Sequence, residues 1–211
     1  MTNWAFHERR HLVQLMRDLG PDAPTLCEGW TAKDLAAHIA IRERRPDAAI
    51  GIMAKAVAKH TKNVMETYSN KPWKELLHLV EEGAPIWNPL GLPNLDSAVN
   101  LFEMFVHHED VRRAAPGWKQ RSLHAELDEA LWKRMASSGK LMWRRAKVGI
   151  VLDNGTSQIV VKSSPKKGST VMISGSTADL VLLTYGRTAV TVTYSGDAAD
   201  VAIAKSTNNS V

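Results

Sequence analysis

The 211-residue chain is 44% hydrophobic and 23% charged, the make-up of an ordinary folded protein rather than a disordered one. Its net charge of +5 raises the question of nucleic acid. The basic residues, however, fall in short clusters among acidic ones (Arg42/Arg44/Arg45, Arg112/Arg113, Arg144/Arg145/Lys147, Lys166/Lys167) with no recognition motif, so they read as solvated faces and no nucleic-acid partner is expected.

Cys27, the single cysteine, excludes an internal disulfide framework and fits a reducing compartment. The first residues turn charged by Glu8 and lack the apolar core of a signal peptide. No run approaches the roughly 18 consecutive apolar residues of a membrane span. The expectation is a cytoplasmic protein with no membrane partner.

Residues 3 to 19 place Trp4, Leu12, Leu15 and Leu19 at helical spacing, and Gly20-Pro21 ends that helix. After a loop, Thr31 and Asp34 have the spacing of a capping box for a second helix. That helix turns Leu35, His38 and Ile39 inward and carries Arg42, Arg44 and Arg45 near its end, where cations suit the dipole. Pro46 interrupts it. A third helix is expected from Asp47 to about Tyr68, with Ile50, Met53, Val57, Val64 and Tyr68 on its apolar side, then a short one opening on Pro72.

A proline-dense loop leads to a long helix from about Leu95 to Ala114, stopped by Pro116-Gly117. Ser122 is the expected cap of the next helix, which Gly139 weakens before Arg145. Near Lys147 the hydrophobic period changes. Strands are expected over 148–153 and 158–162, joined by Asn154-Gly155, and over 170–174. A helix over 176–185, a strand over 189–194 and a helix over 197–205 complete the chain. The fold class is thus α+β in two domains: a helical domain over 1–145 and a small α+β domain over 146–211.

The chemistry centres on NLFEMFVHHEDVRR, residues 100–113. Val99, Glu103, Val106, His107 and Asp110 form one helical stripe. A carboxylate and an imidazole on an apolar stripe are costly to bury unless something binds them, and a divalent ion does so economically. His38, inward on the second helix, is the natural third ligand, since facing helices of a bundle converge such groups on one ion. Two His and one Glu leave a coordination position open, as in catalytic Zn²⁺ sites, although Ni²⁺, Co²⁺ and Fe²⁺ accept the same donors.

Asp110 and Asp34 are placed to hydrogen-bond the ligand imidazoles. His108 lies about 100° round the helix from His107 and is the weaker choice. His7 and His11 form another i, i+4 pair and, without a carboxylate on their stripe, rank second to the chosen set. A lone cysteine such as Cys27 is most often a small buried hydrophobe. Neither a Ser-His-Asp arrangement with its elbow nor a phosphate-binding glycine loop is present.

The segments GPDAPTLCEGWTAKDLAAHIAIRERRPDAA and NLFEMFVHHEDVRRA resemble an actinobacterial family of metal-binding proteins. That family is similar to the metal-binding N-terminal domain of mycothiol-dependent maleylpyruvate isomerase, in the DinB-like four-helix bundle superfamily. The resemblance implies that metal is held by His38, closing Asp34-Leu35-Ala36-Ala37-His38, and by Glu103 and His107. These are the residues that the burial argument selects.

The segment ISGSTADLVLLTYGR with the later SGDAADV is similar to the small sterol-carrier-protein-like domain of the isomerase. It implies a catalytic arginine, for which Arg187 is the nearest counterpart, although Arg187 also suits the capping of its helix's carbonyls. The implied function is a metal-dependent enzyme, Zn²⁺ being the expected metal. It would activate a low-molecular-weight thiol, mycothiol, for transfer to or isomerisation of a small electrophilic substrate. The alternative is a non-catalytic metal- or small-ligand-binding protein.

Overall fold

The computed structural model describes residues 2–48, 58–85, 87–88, 93–165 and 169–207, with the backbone alone at 58 and 93–99. The expected inward positions Ile50, Met53 and Val57, and the basic pair Lys166/Lys167, lie outside the described residues. The chain divides into two compact units, Met1–Gln120 and Arg121–Val211.

The first unit contains α1 (Trp4–Leu19), α2 (Ala32–Arg44), α3 (Ala58–Ser69), α4 (Trp73–Glu82) and α5 (Pro93–Arg113). Asn3 caps α1 by accepting from the Phe6 amide. Thr31 and Asp34 form the expected capping box on α2: the Thr31 hydroxyl accepts from the Asp34 amide while the Asp34 carboxylate accepts from the Thr31 amide. Pro72 stands just outside α4 as its cap rather than as its first residue.

α1 packs along α5 and across α4, and α2 packs on α3 and α4. Leu12, Val13 and Met16 from α1 meet Leu35 and Ile39 from α2, Leu76 and Val80 from α4, and Met104 and Val111 from α5. Polar groups cross this core as well. Arg9 of α1 forms a buried ion pair with Glu43 of α2, its NH1 lying 2.8 Å from Oε2, and the same NH1 donates to the Val80 carbonyl of α4 at 2.8 Å. Glu8 of α1 accepts from His108 of α5 at 2.8 Å.

The second unit contains α6 (Ala125–Met142), a 3₁₀ turn (Trp143–Arg145), β1 (Gly149–Asp153), β2 (Gln158–Lys162), β3 (Thr170–Gly175), α7 (Thr177–Thr184), β4 (Val192–Ser195) and α8 (Ala198–Ser206). The strands form one sheet in the order β2-β1-β3-β4, with β1 antiparallel to β2 and parallel to β3, and β4 antiparallel to β3. The fold is therefore mixed α+β, as expected.

α6 packs with β2 and α7. Its cap is His124 rather than Ser122. The expected boundary at 145 and the division at 120/121 differ by α6, which packs in the second unit against β2 and α7. Gly139 has a packing reason: a Cβ there would stand 2.6 Å from Val161 Cγ1, so only glycine lets the helix lie this close to β2. Among the described residues no helix is long and apolar enough to cross a membrane.

Candidate metal centre

Two helices and one loop of the first unit converge on His107. On α5, Glu103 and His107 are one turn apart, and Glu103 Oε1 lies 3.2 Å from His107 Nε2. From α2, His38 Nε2 reaches the same Oε1 at 3.5 Å. The His38 and His107 rings meet edge to face at 5.3 Å, and Trp30 lies against the other side of His38 at 5.2 Å. His107 and His38 are nearly closed off, at 9% and 12% side-chain exposure, whereas Glu103 is 23% exposed and marks the open edge.

The other ring nitrogen of His107 faces Asp110. Nδ1 donates to Oδ2 at 3.0 Å, and the fully buried carboxylate also accepts from the Cys27 thiol at 3.4 Å. Cys27 is held there by its turn. The Trp30 amide donates to the Cys27 carbonyl at 2.9 Å, with Gly29 at φ +76°, the left-handed third position of a type II turn. The Leu26 amide donates to the Asp110 carbonyl at 3.0 Å, tying this loop to α5.

A residue missed by the sequence reading completes the site. Arg42, one turn after His38 on α2, brings Nε to 3.3 Å from Glu103 Oε1 and donates through NH1 to Asn100 Oδ1 at 2.6 Å. Its place near the end of α2 suits a cation on the helix dipole equally well, so spacing from His38 alone does not single it out. Among its neighbours, Arg112 and Arg113 pair with the fully buried Glu109 and Arg44 pairs with Glu82, so these are not bare solvated cations, whereas Arg45 and its partner Asp47 stand on the exposed surface as expected.

Charge and burial set the protonation of the cluster. Burial alone would push the Glu103 carboxyl up, but hydrogen bonds from His107 and His38, with the charge of Arg42, hold it well below the usual carboxylate range. Burial would push His107 down, yet Asp110, Cys27 and Glu103 hold it well above the ordinary histidine value. For His38 burial dominates and lowers it, against the hydrogen bond to Glu103. His107 is thus the charged imidazole between two carboxylates, and His38 is the neutral one.

His38, Glu103 and His107 come together as expected, their ligand atoms lying within 4.8 Å of one another. Donors about 2.1 Å from a tetrahedral Zn²⁺ stand ~3.4 Å apart. Two of the three separations, 3.2 and 3.5 Å, lie near that value and the third is within 4.8 Å, so the donor set suits a divalent ion after small side-chain rotations.

Asp110 bonds His107 as anticipated, but Asp34 does not play the matching part for His38. Its carboxylate accepts from the Thr31 amide and hydroxyl and from the Ser69 hydroxyl. Cys27 is half-buried and packs against the apolar core as expected, and its thiol also reaches Asp110. His108 turns to Glu8, with His11 beside it at 6.1 Å between rings. Arg187 belongs to the second unit, where its NH1 donates to the Tyr185 carbonyl at 2.6 Å and its amide to the Leu182 carbonyl at 2.9 Å, both at the end of α7.

A family model described as the mycothiol maleylpyruvate isomerase N-terminal domain matches residues 5–146, which include both ligand-bearing helices. The chain belongs to this family. Two solved structures are similar to it: the crystal structure of the mycothiol-dependent maleylpyruvate isomerase and that of a His-to-Ala mutant of the same enzyme. Each is 19% identical, with a TM-score of 0.61, over 92% of this chain and 91% of that chain. At that identity the likeness is one of fold. No curated protein matches the chain.

Proposed function

We propose that this maleylpyruvate isomerase family member is a metal-dependent enzyme that engages a low-molecular-weight thiol, mycothiol by family, for isomerisation of or transfer to a small electrophilic substrate. The observation that supports it most is the meeting of His38 Nε2 and His107 Nε2 on one oxygen of Glu103 at the partly exposed edge of a buried cluster. A Zn²⁺ ion held by these three residues supplies a Lewis-acidic position at which a thiol is favoured as thiolate at neutral pH.

The protein's own groups do the rest. Asp110 fixes the ring orientation of His107 and presents Nε2 toward Glu103. Trp30 lies against His38 and limits water on that side. Arg42 places a permanent positive charge beside Glu103, suited to an anionic substrate group. In the same reading the first unit is a DinB-like bundle, the second is sterol-carrier-protein-like, and Arg187 binds a substrate carboxylate. Its bond to Tyr185 is the competing, purely structural role.

The test is an assay of Zn²⁺-loaded protein with mycothiol and a panel of small electrophiles, α,β-unsaturated keto acids included. Turnover that needs both the thiol and the metal supports the proposal, and Arg187→Gln should then raise KM for carboxylate substrates with Arg187→Lys partly restoring it. Absence of thiol-dependent turnover across the panel would overturn the enzymatic reading.

A further inference from the structure

Both ring nitrogens of His107 face possible metal donors, and the proposed function uses the Nδ1 side only to orient the ring. On the other side Cys27, His107 and Asp110 offer a thiol, an imidazole nitrogen and a carboxylate oxygen within 4.8 Å of one another. The thiol and carboxylate are 3.4 Å apart, and the carboxylate and Nδ1 are 3.0 Å apart. A tetrahedral ion about 2.3 Å from sulfur and 2.1 Å from oxygen or nitrogen needs separations of ~3.4–3.6 Å, so small rotations of these side chains suffice.

We infer that Cys27, His107 Nδ1 and Asp110 form a second, thiophilic cation subsite, joined to the first through the His107 ring. The ion class follows from the donors. A thiolate with an imidazole and one carboxylate selects Zn²⁺, Co²⁺ or Cd²⁺ over Mg²⁺ or Ca²⁺, whose preferred ligands are oxygens. An ion held there would displace the thiol proton and the Nδ1 proton to solvent.

Preorganisation favours the subsite. The type II turn at Gly29 fixes Cys27, the Leu26–Asp110 backbone bond fixes its distance from α5, and Asp110 is fully buried. Cys27 is half-buried, so entry is from its side. The subsite's three donors include neither His38 nor Glu103.

The test is a titration of metal-free protein with Co²⁺ in thiol-free, oxygen-free buffer. The readouts are bound ions per chain and the near-ultraviolet thiolate-to-cobalt charge-transfer band. Cys27 is the single cysteine of the chain, so a band in the wild type reports this residue without any variant. The expected result is two ions in the wild type, with the band present at saturation.

His38→Ala should bind one ion and keep the band, and Cys27→Ser should bind one ion and lose it. No band at saturation in the wild type would overturn the subsite and leave the first site standing. A band that saturates at one ion and disappears in His38→Ala would also overturn it, by placing the thiol on the first ion. A band retained in both wild type and His38→Ala, at one ion per chain in each, would support the subsite and remove the first site instead.

Discussion

Replacing Arg9 by Met should destabilise the first unit by about 3–5 kcal/mol, the usual cost of leaving a buried partner charge uncompensated. Glu43 has no exposed surface, and Arg9 meets it with two guanidinium nitrogens while also donating to the Val80 carbonyl. At a separation of ~3 Å and an effective dielectric of ~20, the attraction is about 5 kcal/mol, comparable to what the two groups lose in hydration. The pair therefore adds little net stability, whereas breaking it from one side costs nearly the full desolvation of the survivor. Arg9→Met/Glu43→Leu should then be much less destabilised than the sum of its single changes.

Urea unfolding followed by circular dichroism, with unchanged m-values, measures all three. The pair also pins α2 five residues beyond His38, so Arg9→Met should weaken divalent-ion binding even where the protein stays folded. A loss below about 1 kcal/mol for Arg9→Met, or strict additivity in the double variant, would refute the reasoning.

Three further outcomes are expected. Gly139→Ala brings a Cβ to 2.6 Å from Val161 and should destabilise the second unit by about 1–2 kcal/mol by thermal melting, overpacking outweighing the gain in helix propensity. Asp110→Asn should weaken binding of the first divalent ion about 10–100-fold by calorimetric titration, because His107 loses its charged hydrogen-bond partner; unchanged affinity would show that Asp110 does not orient the ring.

In metal-free protein the raised His107 contributes stability that is fully present below its unfolded value of about 6.5 and is lost as pH rises through its folded value. The depressed Glu103 contributes above about 4.5, and that contribution is lost as pH falls through its folded value. The gap in Tm between wild type and His107→Gln should therefore be widest in mildly acidic solution and shrink toward alkaline pH.

Much of this centre was legible because burial and helical period are local properties of sequence. Glu103 and His107 share a stripe four residues apart, and His38 sits beside Leu35 and Ile39, so the three inward polar groups could be identified without coordinates. Partners chosen by tertiary packing were not legible. Arg42 is indistinguishable in sequence from a cation ending a helix, and only the placement of α2 beside Asn100 and Glu103 turns it into the site. Asp34 could serve its own cap or a neighbouring imidazole, and the local capping box won.

Cys27 lies 83 residues from Asp110, and nothing in local pattern links a turn cysteine to a helix carboxylate so far along the chain. In the second unit the Asn154-Gly155 signal correctly marked the β1–β2 connection, whereas the attachment of α6 to the sheet depends on Gly139 meeting Val161, a contact without periodic trace.

A divalent ion held by His38, Glu103 and His107 is the central proposal. A crystal structure of Zn²⁺-loaded protein, with anomalous data collected on both sides of the zinc edge, tests this in one measurement. The expected result is an anomalous peak bonded to His38 Nε2, a Glu103 oxygen and His107 Nε2, with Arg42 displaced from Glu103. A loaded crystal with no peak at these atoms, and with Glu103 still bonded to both histidines and Arg42, would contradict it.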